Sequence, residues 1–342
     1  MRAVVVDEFG PPERLRLAEM PTPHPGPGEV LVSVRAAPVN YVDLVVVAGA
    51  YQVRPSLPFI PGKGPAGVVT ALGPAVSTSS IGDRVLAMAE EGGYAEAVAV
   101  GAEQCHLLPP RMSFVEAASL SLAYDTAWFA LRERARMAPG ETVLVLGATG
   151  AVGQASVQLA RAFGARVLAG VSRPEKASAV GMAGADAVID LSRENLRDRL
   201  REQVWAVTEG RGADVILDPL GGDAFDAALR ALAWCGRLVV IGFAAGRIPS
   251  VRTNYLLVKN IEVSGLQISD YRKQRPAQVA ACFSEIFYLY EQDRIRPAAA
   301  TLFPLDRAGE ALAALRDRRL TGRAVLDLSP TPVHPSDETQ RR

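Results

Sequence analysis

The run Val143-Leu-Val-Leu-Gly-Ala-Thr-Gly-Ala-Val-Gly153 reads as a strand, a glycine turn and a helix start. Ala148, Gly150 and Gly153 fall at the three positions of the dinucleotide fingerprint, with alanine in the first place. That pattern serves phosphate chemistry. A tight turn is followed by a residue without a side chain, where the backbone approaches a pyrophosphate, and then by a small residue where helix packs on strand. With Thr149, Ala151 and Val152 the loop offers backbone N–H groups and the positive end of a helix to a diphosphate. The alternative is a merely tight turn, and the run of strand–helix units around it favours the nucleotide reading.

The same region bears on which dinucleotide. A site for NAD places an acidic residue about 20 residues further on, at the end of the second strand. Between Glu141 and Glu175 there is no Asp or Glu, and the second strand runs into Ser172, Arg173 and Lys176. A hydroxyl, a guanidinium and an ammonium suit a 2′-phosphate, whereas a carboxylate would repel it. The expectation is NADPH; the alternative is that these cations are a solvated helix start.

Elements must position these groups. From about Ser113, strand and helix signals alternate at the spacing of βαβ units, which implies a doubly wound parallel sheet. The expected strands are 142–146, 166–171, 187–190, 214–217, 237–241 and 261–264. Val152, Ala155, Leu159 and Phe163 form the core stripe of the helix after the glycine turn. Gly242 and Phe243 follow the fifth strand, at the carboxyl end where ligands bind in such sheets. The first 110 residues read instead as short β segments cut by Pro and Gly turns, a small barrel with little helix. A further helix is expected over 277–290, followed by β and α segments ending at 323–328. The expected domains are 1–118, a nucleotide domain over 119–265, a return to the first domain over 266–328, and a disordered tail over 329–342.

Composition bounds the partners. The 342 residues carry 37 cationic and 37 anionic side chains, a balance that argues against nucleic acid or a membrane surface. No apolar run approaches the ~20 residues that span a bilayer. Cys105, Cys235 and Cys282 are scattered and odd in number, which suits a reducing, cytoplasmic compartment. Cys105 and His106 are neighbours, but adjacent strand residues face opposite sides, so the pair reads as packing.

Taken together, the chain from residue 1 to about 328 resembles the medium-chain dehydrogenase/reductases, and within them the zinc-independent quinone oxidoreductase (zeta-crystallin-like) branch. The resemblance rests on Pro38-Val-Asn-Tyr-Val-Asp43, Pro61-Gly-Lys-Gly-Pro-Ala-Gly67, Gly82-Asp-Arg-Val85, Gly92-Gly-Tyr-Ala-Glu96 and the nucleotide turn. It implies a Rossmann domain beside a β-rich, GroES-like barrel. Zinc-dependent members place a cysteine where this chain has Asn40 and a His-Glu pair where it has Lys63-Gly64, and they carry a cysteine-rich lobe after the stretch here reading Gly82 to Gly93. His24, His106 and His334 match none of those positions, so no metal is expected. Without a Lewis acid, the chemistry left is hydride delivery to an acceptor already electrophilic.

The resemblance also implies site residues. Asn40 would orient the nicotinamide carboxamide or a substrate oxygen, or else be a turn residue. Asp43 is read as structural. Tyr51 stands where enoyl-thioester reductases carry a proton-donating tyrosine, or it caps a loop. Lys63 would place a cation near a substrate oxygen, or point to water. Thr126 and Trp128 match a helix start beside the nicotinamide, the indole stacking on it or packing in the core. Arg323 matches a basic cofactor-side position or is exposed. Three functions follow: NADPH-dependent quinone reduction; reduction of an enone, 2-alkenal or enoyl thioester; or non-catalytic NADPH binding. A homodimer is implied through pairing of the last nucleotide-domain strand.

Overall fold

A computed structural model describes residues 1–329 except Pro174, Lys176 and Thr321, with Ala177 and Ala179 described by backbone alone. The expectation for Lys176 and that for the tail beyond Ser329 lie outside the described residues.

The first segment contains β1 (Arg2–Val5), β2 (Arg16–Glu19), β3 (Glu29–Val39), α1 (Tyr41–Val47), β4 (Ala66–Leu72), β5 (Arg84–Ala87), β6 (Ala97–Gly101), β7 (Cys105–Leu107) and α2 (Phe114–Leu120). Its organising strand is β3. From Glu29 to Arg35 burial alternates residue by residue, as one buried face demands, and from Ala36 to Val39 every residue is buried. One side of β3 pairs with β4. The other side pairs with β6 over Glu29–Ser33 and with a returning strand over Ala36–Val39, so the sheet branches there. Helix α2 begins with a capping box in which Ser113 and Glu116 satisfy each other's backbone N–H. Its Phe114, Val115 and Ala118 cover Ala36 of β3, which explains the two-sided burial.

The second segment contains α3 (Ala123–Trp128), β8 (Thr142–Val145), α4 (Ala151–Ala162), β9 (Arg166–Val171), α5 (Ala177–Met182), β10 (Ala187–Asp190), α6 (Leu196–Val207), β11 (Ala213–Asp218), α7 (Gly222–Ala231), β12 (Leu232–Val240), α8 (Thr253–Lys259), β13 (Glu262–Gly265), α9 (Ile268–Gln274) and α10 (Pro276–Glu291). Among the described residues six strands form a sheet in the order β10-β9-β8-β11-β12-β13, every pair parallel. This is the doubly wound order, with the reversal between β8 and β11. Residues of β8 and all but the first of β9 are buried, as strands covered on both faces must be. The strand boundaries agree with the sequence pattern within a few residues, β12 starting earliest relative to expectation, at Leu232.

The chain then forms β14 (Ala300–Pro304), α11 (Ala308–Arg316) and β15 (Arg323–Asp327), and β15 is the strand that pairs with β3. Two compact units result: residues 1–121 with the chain from Ala299, and residues 122–298. The return therefore falls at Ala299 and not at 266. Helix α10 explains the difference. Its Glu285 binds Trp128 and Arg132 of the second unit, and Val279, Cys282, Phe283 and Ile286 are buried. No described helix is long and apolar enough to cross a membrane.

Candidate active site

In the second unit, β8 ends at Val145 and α4 starts at Ala151, capped by Gly150. The turn between them is held by Leu146 donating to Leu217 O (3.0 Å), Ala148 donating to Gly170 O (3.0 Å) and Gly150 donating to Gly147 O (2.9 Å). Sequence reasoning gave Ala148 the tight-turn position. The residue with the left-handed backbone is its neighbour Gly147 (φ +61°), which the sequence reading did not single out; Ala148 is buried. Gly153 behaves as its position requires: a Cβ there would lie 2.2 Å from Gly147 O and 2.7 Å from Ala148 Cα, so only glycine lets α4 pack this close. At Gly150 a Cβ would meet only one atom, Gly147 O at 3.3 Å, a tight contact but far milder than at Gly153. The N–H groups of Ala151, Val152 and Gly153 lie in the first helical turn, where no preceding carbonyl reaches them. Gln154 Nε2 donates to Thr149 O (2.9 Å) and steadies the loop.

Beyond the carboxyl end of β9, Ser172 is exposed and Arg173 half-buried. At the same end of the sheet, Gly242 donates to Asp218 O (3.4 Å) and Phe243 is about one-third exposed. Asp218, which sequence reasoning missed, is fully buried. Its Oδ1 accepts the N–H groups of Leu220 (2.9 Å) and Gly221 (3.0 Å), and burial raises its carboxyl above the usual range. Thr126 is buried and donates its hydroxyl to Leu122 O. Trp128 is half-buried, with Nε1 donating to Glu285 (2.6 Å) and the ring packed edge-on against Phe129. Next to Thr126 lies a second feature the sequence did not signal. Arg272 donates Nε and Nη2 to Asp125 Oδ2 at 3.0 and 2.6 Å, both residues buried.

The first unit holds a polar cluster of its own. Asn40, between β3 and α1, is 6% exposed, and its Oδ1 accepts a hydrogen bond from Nη2 of the buried Arg323 (2.8 Å). The Asn40 backbone N–H donates to Asp43 Oδ2 (2.9 Å), and the fully buried Tyr94 donates its hydroxyl to the same oxygen (3.0 Å). Burial pushes the Asp43 carboxyl up to about 6, against the opposing pull of the Asn40 N–H, the Lys63 charge and the Tyr94 hydroxyl. Burial, then the Asp43 charge, holds the Tyr94 phenol well above its ordinary range. Lys63 is neither exposed nor unpaired: it is 7% exposed and donates to Glu90 Oε2 (2.6 Å) and Glu90 O (2.8 Å). Its Nζ stands 5.8 Å from the ring centre of Tyr51, which is half-buried against the barrel core. The structure thus joins Asn40 with Arg323 and Lys63 with Tyr51, and adds Tyr94 and Glu90. Tyr94 lies in a stretch that carried the resemblance, but nothing local marks it as the partner of Asp43.

A doubly wound sheet with this glycine turn, joined in one chain to a β-rich unit, defines a two-domain dehydrogenase built to bind a nicotinamide dinucleotide. Residues 26–110 match the alcohol dehydrogenase GroES-like domain, and residues 151–285 match the zinc-binding dehydrogenase family. The chain is 37% identical to a quinone oxidoreductase-like protein 2 homolog of Nematostella vectensis, over 95% of this chain and 88% of that protein. It is 34% identical to the quinone oxidoreductase of Mus musculus, over 91% and 92%. The structure of Escherichia coli quinone oxidoreductase complexed with NADPH superimposes with a TM-score of 0.88 at 28% identity, covering 96% of this chain and all of that one. The chain belongs to the medium-chain dehydrogenase/reductase superfamily, in its quinone oxidoreductase-like branch.

Proposed function

We propose that the protein is an NADPH-dependent reductase of quinones that works without zinc. One observation carries the reading: the two positions where zinc-dependent relatives place ligands are spent on internal partners. Asn40 is bonded to Arg323, and Lys63 is ion-paired with Glu90. Among the described residues no group of three or more His, Cys, Asp or Glu could hold a metal ion, which supports the reading without zinc. Chemistry without a Lewis acid needs an acceptor that is already electrophilic, and a quinone is one.

The residues fit a dinucleotide. Thr149, Ala151 and Val152 would hold the diphosphate through backbone N–H groups, with Gly150, whose own N–H is taken by Gly147 O, letting the backbone approach it without a side chain. Ser172 and Arg173 would take the 2′-phosphate, since the stretch around β9 has no carboxylate to repel it. Gly242 and Phe243 sit at the ligand end of the sheet. Thr126 and Trp128 are held by Leu122 and Glu285. When bound, NADPH supplies the hydride. The protein's share is orientation and hydrogen bonding to the oxygen on which charge develops.

The test is NADPH and NADH oxidation against a panel of quinones and enones. Quinone turnover with NADPH preferred is the expected result, and turnover of enones alone removes the quinone reading. In that event Tyr51→Phe should slow the enone reaction, because a phenol can donate a proton and a phenyl ring cannot. We further propose a cytoplasmic homodimer. Strand β13 is a sheet edge, and Leu257 and Val258 beside it are exposed by more than three quarters. Light scattering should give about twice the chain mass of 36.3 kDa.

A further inference from the structure

We infer that Arg323 is a positioning residue: it locks the Asn40 side chain so that the amide N–H₂ is reserved for the carbonyl oxygen of a bound ligand. Register brings the pair together. Ala324 of β15 lies opposite Val39 of β3, so Arg323 and Asn40, the next residues along, meet although 283 positions apart. A guanidinium has donors and no acceptor, so the amide atom facing Arg323 must be Oδ1. That choice directs Nδ2 the other way. Asn40 Nδ2 is buried and has no hydrogen-bond partner among the described residues. The backbone N–H of Asn40 is already taken by Asp43, whose position is in turn held by Tyr94. The amide therefore has its oxygen committed to Arg323, its backbone held through Asp43, and the N–H donors of Nδ2 left over. A buried donor without a partner is costly, and chains keep one where something else completes the bond.

The missing partner must be an acceptor. A neutral carbonyl oxygen fits, and when that oxygen gains negative charge the adjacent guanidinium also stabilises it. Both the carboxamide of nicotinamide and a quinone offer such an oxygen. The inference rests on the reductase reading, and two measurements separate them.

The first is kinetic. Asn40→Asp keeps an acceptor facing Arg323 but replaces the reserved donor with an oxygen that repels a carbonyl. It should keep its thermal midpoint and lose about 100-fold in kcat/KM. Arg323→Met should lose about tenfold, Arg323→Lys should recover part of it, and adding Arg323→Met to Asn40→Ala should change kcat/KM less than about twofold. Full activity in Asn40→Asp, or additive losses in the double variant, overturns the inference.

The second needs no turnover. The ¹⁵N side-chain amide signals of Asn40, assigned by their loss in Asn40→Asp, should move on titration with NADPH or with duroquinone. Movement with NADPH identifies the carboxamide oxygen, and movement with duroquinone the acceptor oxygen. No movement with either overturns the inference. Absence of turnover across the acceptor panel, with the amide still responding to NADPH, removes the reductase reading and leaves the positioning role standing.

Discussion

Tyr94→Phe removes one hydroxyl from a fully buried ring, and its cost should depend on pH through Asp43. The Asp43 carboxyl titrates at about 6 in the folded protein, against an ordinary value of 3.8. Between those values the folded state holds a proton that the unfolded chain has lost. The stability this group contributes is therefore present below pH 4, falls as pH rises through about 6, and is flat beyond. A hydrogen bond to a charged acceptor contributes about 1.5–3 kcal/mol and one to a neutral acceptor about 0.5–1.5 kcal/mol. Losing the Tyr94 donor thus penalises ionised Asp43 by roughly 1–1.5 kcal/mol more than the neutral acid. That is about one pKa unit at 1.36 kcal/mol per unit, and it moves Asp43 from about 6 to about 7. The gap between wild type and Tyr94→Phe should widen between pH 6 and 7 and stay constant above. The widening corresponds to a further fall of about 3–5 °C in the midpoint of the first unit. The assay is thermal unfolding at pH 5, 6, 7 and 8 for wild type, Tyr94→Phe, Asp43→Asn and the double variant. The reasoning fails if the gap is the same at pH 5 and pH 8, or if it keeps its pH dependence in the Asp43→Asn background.

Four further outcomes follow from the second unit. Gly153→Ala drives a methyl to within 2.2 Å of Gly147 O and should lower stability by about 3 kcal/mol or more, read as a depressed thermal midpoint without ligand. Gly150→Ala, which meets a single backbone oxygen at 3.3 Å, should move that midpoint far less than Gly153→Ala and weaken NADPH binding about tenfold by fluorescence titration; unchanged affinity would place the diphosphate elsewhere. Arg173→Ala should raise the Kd for NADPH by about 10-fold or more and leave NADH nearly unaffected, because only NADPH carries the 2′-phosphate. Arg272→Met removes the buried cation paired with the Asp125 carboxylate and should destabilise by about 3–5 kcal/mol in urea unfolding, recovered in part by removing the charge in Asp125→Asn.

Sequence alone determined what depends on near neighbours. The alternation of strand and helix signals specified the parallel sheet, because burial on both faces demands unbroken apolar strands and the intervening helices carry a 3.6-residue stripe. The glycine turn was legible because its geometry is made from consecutive backbone groups. Even so, the left-handed glycine is Gly147 and not the fingerprint position beside it. Candidate residues such as Asn40, Lys63 and Arg323 were visible as types at positions, but their roles turn on partners far along the chain. Asn40 meets Arg323 across 283 positions, Trp128 meets Glu285 across 157, and Asp125 meets Arg272 across 147. Those meetings are decided by strand register and helix docking. A shift of one residue between β15 and β3 would turn Arg323 to the opposite face and release the Asn40 amide. Local pattern therefore specified the scaffold and the glycine turn, and only the tertiary structure decided which polar groups pair with one another and which, such as Asn40 Nδ2, have no partner among the described residues.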